Sequence, residues 1–202
     1  MISSYRLGDL ILLNLQPHEQ EQLLKDYPNS FGAKYIIEKR NNNNNNNIDI
    51  ITNIVIEYIN KNIQLFPKDI DESIIIHLRL GDVVAGNELH EQAKRPLPID
   101  YLKSLLKKNI RKKYIIAKCF FASTSSTNYE ECISKSNIYL NNVINELGAE
   151  HIDNNNADLD LCYAVKSKIF IQGRGFFSQL IVEIRKRLNL KSIITNTYDF
   201  AH

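Results

Sequence analysis

In this 202-residue chain, Ser73–Asp82 has the sequence SIIIHLRLGD, which is the clearest local indication of the fold. Its run of three isoleucines is typical of a central strand that is buried on both faces of a parallel sheet. Because side chains alternate along a strand, His77 and Arg79 should face one side of the sheet and the neighbouring leucines the other. Gly81 then allows the chain to turn sharply. The stretch therefore predicts a buried strand whose polar end emerges at an edge of the sheet.

Strand and helix patterns alternate after this first strand. Strands are predicted over 114–122, 150–153, 168–172 and 192–195, and helices over 98–108, 129–147, 157–166 and 177–188. This alternation predicts βαβ units with right-handed crossovers, and hence a parallel sheet. The predicted fold class is α/β with a Rossmann-like parallel sheet, in which ligands bind at the carboxyl ends of the strands.

The residues before this region are predicted to form a reduced amino-terminal lobe, 1–71, ahead of a main domain at 72–202. The local patterns in this lobe are a strand or a first helical turn at 10–15, and helices at 17–25 and 48–63. Seven consecutive asparagines at 41–47 bury no apolar surface, which predicts a flexible loop or linker.

The charge composition excludes one broad class of function. Lysine and arginine number 25, and aspartate and glutamate 23. That near balance argues against a general nucleic-acid binder, which usually shows a marked basic excess. Basic groups at 107–108, 111–113 and 185–187 close helical patterns, and we interpret them as solvated helix ends that complement the helix dipole.

Cysteine usage and apolar segments bear on location. Three cysteines without the spacing of metal ligands indicate reduced thiols in an intracellular protein. Polar residues interrupt the apolar start of the chain, so no signal peptide is predicted, and no apolar run nears the ~20 residues that span a bilayer. We therefore expect a cytoplasmic protein. Its richness in Ile, Asn and Lys indicates a host with an AT-rich genome.

A second stretch, Phe170–Ser178, combines a strand, a glycine loop and a helix amino terminus. The free N–H groups and the dipole of such a terminus bind anions. Gly173 and Gly175 permit close approach of a phosphate, Arg174 adds positive charge, and Ser178 offers a hydroxyl. A simple tight turn is the alternative interpretation of such a loop.

The polar end of the first strand suits the same kind of ligand. The planar fork of Arg79 can donate two hydrogen bonds to anionic diphosphate oxygens. The Asp82 carboxylate is expected to fix Arg79, to cap the turn or to face the substrate. The alternative is an ion pair between Arg79 and Asp82 with a purely structural role. Asp158 and Asp160 open a later helix two positions apart, so at most one should enter the cleft. The alternative is that both carboxylates stay outside the cleft and complement the dipole at the start of the helix.

The sequence His77–Asp82 resembles the His-x-Arg-x-Gly-Asp motif of GDP-fucose-dependent fucosyltransferases, the α1,2-, α1,6- and protein O-fucosyltransferase group. An acidic helix start, an apolar strand and a small-residue loop with a serine follow in a similar order, so the resemblance spans about 73–188. It implies the donor-binding lobe of a GT-B glycosyltransferase, with a GDP-sugar donor and neither a metal nor another cofactor. The amino-terminal lobe is shorter than that family's, and Arg6–Asp9 resembles a remnant of its glycine loop.

Residue roles follow from the resemblance position by position. Arg79 would contact the β-phosphate of GDP-fucose and help GDP to leave, and it forms the candidate catalytic pair with Asp82. His77 would lie against base or ribose, while Asp158, or Asp160 if the alignment slips, would read guanine. The predicted GDP-sugar-binding residues are His77, Arg79, Gly81, Asp158, Asp160, Gly173, Arg174, Gly175 and Ser178. Leu80 replaces the second arginine of the α1,2 and α1,6 groups, but protein O-fucosyltransferases tolerate an apolar residue there.

The functional hypothesis is a glycosyltransferase that moves fucose, or a related deoxyhexose, from a GDP-sugar to a glycan or protein hydroxyl. One alternative is a catalytically inactive relative that serves as a nucleotide-binding or accessory protein. Another is a different α/β nucleotide or phosphate binder with the same strand-end arginine. The expected partners are donor and acceptor, without nucleic acid or a membrane span. A partner chain or an oligomer is one way to complete the short first lobe.

Overall fold

A five-stranded parallel sheet lies at the centre of the computed structural model, which describes residues 6–42, 46–85, 96–107, 109–120, 129–154 and 156–195. Its strands are β1 (Ile74–Gly81), β2 (Lys113–Phe120), β3 (Glu150–His151), β4 (Ile169–Ile171) and β5 (Ser192–Ile193). They lie in the order β3-β2-β1-β4-β5, and every neighbouring pair is parallel. The predicted α/β class and the parallel sheet are confirmed.

Helices fill both faces of the sheet. They are α1 (Leu7–Leu12), α2 (Pro17–Asp26), α3 (Phe31–Asn41), α4 (Asn47–Lys61), α5 (Asp82–Ala85), α6 (Ile99–Leu106), α7 (Tyr129–Leu147), α8 (Ala157–Lys166) and α9 (Phe176–Arg187), with short 3₁₀ turns at Ile63–Leu65 and Ile70–Glu72. For residues 10–15 the sequence left strand and helix as alternatives, and the structure places residues 10–12 in the helix α1. The sequence analysis missed α3, which begins after Ser30, whose side chain accepts a hydrogen bond from the Ala33 N–H.

Both ends of the asparagine run belong to helices and not to the linker that its composition predicts. Asn41 is the last residue of α3 and Asn47 the first of α4. The side chain of Asn46 accepts a hydrogen bond from the Ile48 N–H at 2.8 Å, the interaction for which asparagine is favoured before a helix. Residues 43–45 lie outside the described part of the chain.

Side-chain alternation along β1 divides the interior into two cores. The isoleucines and leucines at 74, 76, 78 and 80 face α6 and α7, in a core that also includes Leu102 and Val143. Ile75 faces the opposite core, with α8, α9 and the amino-terminal helices. His77 and Arg79 share the direction of Ile75, as the alternation predicts.

The amino-terminal helices share a core with the sheet. Leu7, Phe31 and Ile51 belong to the same buried cluster as Phe170 of β4 and Ile181 of α9. A β-carbon at Gly8 would lie only 2.4 Å from the Phe176 carbonyl carbon, so a glycine is needed where α1 meets α9. The described residues before β1 contain helices and turns but no strand. The boundary between two domains near residue 71 stays a prediction.

The interpretation of 185–187 as a solvated helix end is wrong for Arg185, whose side chain is fully buried. Its guanidinium donates to the carbonyls of Ala164 at 2.5 Å, Ser167 at 2.9 Å and Lys191 at 2.5 Å. The last carbonyls of a helix lack partners within it, and Arg185 supplies donors to the end of α8 and to the following turn. Burial lowers the pKa of this guanidinium to about 10, so it remains charged at neutral pH.

Candidate functional site

The order of the strands creates a crevice beside the carboxyl end of β1. From β1 the chain proceeds outward through β2 and β3, and β4 returns to the other side of β1. The carboxyl ends of β1 and β4 therefore flank the topological switch point, where open α/β sheets bind ligands. Pairing between β1 and β4 stops at Ile76 and Ile171, whereas β1 and β2 pair as far as Gly81 and Phe120. Residues 77–81 thus project past β4, beside the glycine loop that follows it.

Arg79 lies against this glycine loop. Gly175 has a φ of 91°, a left-handed conformation that favours glycine, and it immediately precedes α9. A β-carbon at this position would lie 3.3 Å from Nη1 and 3.7 Å from Cδ of Arg79. The structure thus brings together the two stretches that were selected from the sequence. A guanidinium and a helix amino terminus share one side of the crevice.

His77 fills the space beneath the same loop. A β-carbon at Gly173 would lie 2.4 Å from the imidazole Nδ1 and 2.3 Å from the His77 carbonyl oxygen. The ring is only 8% exposed and lies 5.5 Å from the ring of Phe177. Burial, and secondarily the charge of Arg79, lowers the pKa of His77 to about 4. At neutral pH the imidazole is therefore uncharged, and Nδ1 has no hydrogen-bond partner among the described residues.

The two turns beside the crevice are held by buried serines. The Gly173 N–H donates to Ser178 Oγ at 2.8 Å, so the Ser178 hydroxyl closes the loop and occupies one of its amides. Gly81 has a φ of 84° at the end of β1, and its N–H donates to Ser136 Oγ of α7 at 2.9 Å. The sharp turn expected of Gly81 is present. Asp82 begins α5, but its side chain lies outside the described part of the structure, so its predicted role is untested.

Arg174 lies on the side of the loop that is near α7. It is buried, and desolvation lowers its pKa while the proximity of Tyr139 opposes that effect. Tyr139 is itself fixed, because its hydroxyl donates to the Leu97 carbonyl at 2.6 Å. The glycine loop therefore carries a second guanidinium in addition to the one that reaches it from β1.

Asp158 and Asp160 have different surroundings, as their spacing predicts. Asp158 Oδ2 accepts a hydrogen bond from the Phe31 N–H at 2.8 Å, at the start of α3. Asp160 is 9% exposed, and its Oδ1 accepts a bond from Asn154 Nδ2 at 3.1 Å. Burial raises the pKa of Asp160 to about 7, against the opposing effects of Asn154 and of Lys118 at the end of β2. Guanine recognition by either carboxylate stays a prediction.

Sequence reasoning missed Ser136 and Tyr139 because their partners are distant in the chain. Ser136 lies 55 positions from Gly81 and Tyr139 lies 42 from Leu97. The one local signal was a serine at helical spacing between the apolar residues Cys132 and Leu140, on the buried face of α7.

The described residues lack the features of a metal centre and of a membrane-spanning helix. No group of three or more His, Cys, Asp or Glu side chains there could hold a metal ion. None of the described helices combines the length and the apolar composition that a membrane crossing requires.

A surface hollow lies away from the crevice, beside β5, and is lined by Val182, Lys186, Asn189, Leu190, Ser192 and Ile194.

The solved structures that match this chain include two crystal structures of POFUT1, a protein O-fucosyltransferase. The structure in complex with GDP matches with a TM-score of 0.40 and 12% identity, over 72% of this chain and 46% of the other. The apo form matches with a TM-score of 0.40 and 11% identity, over 72% of this chain and 45% of the other. This chain thus spans less than half the length of those solved chains. No family model and no curated protein matches it.

Proposed function

We propose that this chain binds a GDP-sugar in the crevice between β1 and β4 and transfers fucose, or a related deoxyhexose, to a glycan or protein hydroxyl. The observation that carries the proposal is the proximity of the Arg79 guanidinium to the Gly175 turn at the switch point. The resemblance of His77–Asp82 to the fucosyltransferase motif supplies the choice of nucleotide and sugar. Arg79 and Asp82 are the proposed catalytic residues.

The electrostatics of the crevice support metal-free departure of GDP. As the glycosidic bond breaks, negative charge develops on the diphosphate, and a preplaced cation stabilises it. Arg79 supplies that charge, and α9 adds the partial positive charge of its amino terminus. His77, being uncharged at neutral pH, packs beneath the loop without adding a further charge. Arg174 is the proposed second cation of the phosphate site.

Calorimetric titration of GDP and GDP-fucose tests the binding part of the proposal. Replacing Arg79 by alanine removes at least one charged hydrogen bond worth roughly 1.5–3 kcal/mol, so affinity should fall by at least about ten- to 150-fold. Arg79→Lys should recover only part of it, because lysine lacks the planar fork. Arg40→Ala is the matched control, since Arg40 contacts Glu21 on the surface. Absence of GDP binding by the wild-type protein, or equal binding by the Arg79→Ala variant, contradicts the proposal.

A catalytically inactive, nucleotide-binding relative is the second candidate function. The observation that favours it is the helical amino-terminal region, which among its described residues offers no second sheet to face the crevice. Assays of GDP release from GDP-fucose, with and without glycan or peptide acceptors, separate the candidates because only an enzyme breaks the glycosidic bond. If UDP or ADP displaces GDP, the site belongs to a different class of nucleotide binder.

A further inference from the structure

We propose that Ser136 is a positioning residue that holds the Arg79-bearing end of β1 at the crevice. This inference rests on the proposed function, because the ligand that Arg79 serves is the diphosphate. Ser136 lies in the middle of α7, which packs on the opposite face of the sheet from α9. Its proposed effect on Arg79 passes through the backbone of Gly81, whose N–H donates to the Ser136 hydroxyl oxygen.

The end of β1 needs support that the sheet does not supply on both sides. Pairing with β4 ends at Ile76, and within the described part of the chain residues 77–81 pair with β2 alone. Arg79 is in this projecting section, two residues before the turn at Gly81. The hydrogen bond from the Gly81 N–H to Ser136 Oγ fixes the turn from the α7 side. A lateral shift of this turn would change the distance between Arg79 and Gly175.

The opposite wall of the crevice is fixed in the same way. Ser178 Oγ accepts the Gly173 N–H at 2.8 Å from within α9. Both serines are fully buried, and each accepts a hydrogen bond from the backbone N–H of a glycine in a turn that borders the crevice. Helices on the two faces of the sheet thus set the separation of the two walls.

A buried hydroxyl in this position has a specific consequence when it is removed. Without Ser136 Oγ, the Gly81 N–H either remains buried without a partner or moves until it finds one. Movement of the turn displaces Arg79 from the glycine loop. We therefore expect loss of the serine hydroxyl to weaken diphosphate binding as well as to lower stability.

The test compares two fully buried serines at opposite ends of β1. Ser136→Ala removes the acceptor at the carboxyl end, and Ser136→Cys weakens it while filling the site with a somewhat larger sulfur atom. Ser73→Ala is the matched control, because Ser73 precedes β1 at its amino end and its hydroxyl donates to the Ile70 carbonyl at 2.8 Å. GDP affinity is measured by calorimetry, stability by urea denaturation, and exchange of the Gly81 amide by NMR.

Both Ser136 variants should bind GDP about three- to tenfold more weakly and exchange the Gly81 amide faster, whereas Ser73→Ala should lose stability without losing affinity. If the Ser136 variants retain wild-type affinity while Arg79→Ala loses it, the positioning role is overturned and the proposed function stands. Equal loss of affinity in Ser73→Ala would likewise overturn it. No GDP binding by the wild-type protein overturns the proposed function, and with it the ligand that this inference assigns.

Discussion

Replacing Asp160 by asparagine should stabilise the protein at alkaline pH but not at acid pH. The carboxyl group is buried near the start of α8, and burial raises its pKa from the ordinary 3.8 to about 7. Asparagine keeps an oxygen that can accept the bond from Asn154 Nδ2 and introduces no ionising group. The substitution therefore removes the cost of a buried carboxylate while retaining its hydrogen bond.

The sign and the size of the effect follow from the pKa. Because the folded state raises the pKa above its unfolded value, the protonated carboxyl favours folding, and this contribution is complete below about pH 3.8. It is lost as the pH rises through 7. At about 1.4 kcal/mol for each tenfold change in acidity, the wild-type protein loses at most ~4 kcal/mol over this interval. The 9% exposure of the side chain makes that figure an upper limit.

Urea denaturation between pH 4 and pH 8.5 measures this difference. The free energy of unfolding of Asp160→Asn, relative to the wild type, should increase through the interval and level off above pH 7. Asp26→Asn is the matched control, because the exposed Asp26 also accepts a side-chain amide bond, from Gln22 at 2.8 Å. If the difference in the free energy of unfolding between Asp160→Asn and the wild type is constant across the whole range, Asp160 does not titrate with a raised pKa in the folded protein.

Two further substitutions test the fold around the site. Gly173→Ala should lower the free energy of unfolding by about 1–3 kcal/mol, because its β-carbon would lie 2.3 Å from the His77 carbonyl oxygen and force β1 and β4 apart; wild-type stability in urea denaturation would contradict this packing. Arg185→Met should cost about 3–5 kcal/mol, because the carbonyls at the end of α8 lose their charged donor. The control Arg187→Met removes an exposed ion pair with Asp49 and should cost less than about 1 kcal/mol. Thermal unfolding measures both variants, and a similar loss of stability in the two would argue against a structural role for Arg185.

The sheet and the meeting of the two site stretches were predictable because their signals are local. Isoleucine-rich runs and helical periodicity identify the elements, and parallel topology then places the carboxyl ends of β1 and β4 at the same edge of the sheet. The sequence could therefore assign Arg79 and the glycine loop to one ligand, whereas the adjacency of β1 and β4 comes from the strand order of the structure. Alternation along the strand likewise predicted the side on which His77 lies.

The features that were missed depend on tertiary contacts. Arg185 belongs to a basic group at a helix end, and only the position of the α8 carboxyl terminus shows why it is buried. The hydrogen bond between Asp158 and the start of α3 joins residues 127 positions apart, so local patterns did not predict it. Ser136 has no local signal beyond its place on the buried face of α7. In each case the partner is set by packing, which local periodicity does not encode.

A crystal structure of the protein with GDP bound would show whether the crevice between β1 and β4 is the diphosphate site. We predict that the Arg79 guanidinium and the 173–178 turn bind the diphosphate jointly, with phosphate oxygens about 2.7–3.1 Å from the guanidinium nitrogens and from N–H groups at the start of α9. Density for GDP elsewhere, such as the hollow beside β5, with the β1–β4 crevice occupied only by solvent, would contradict it.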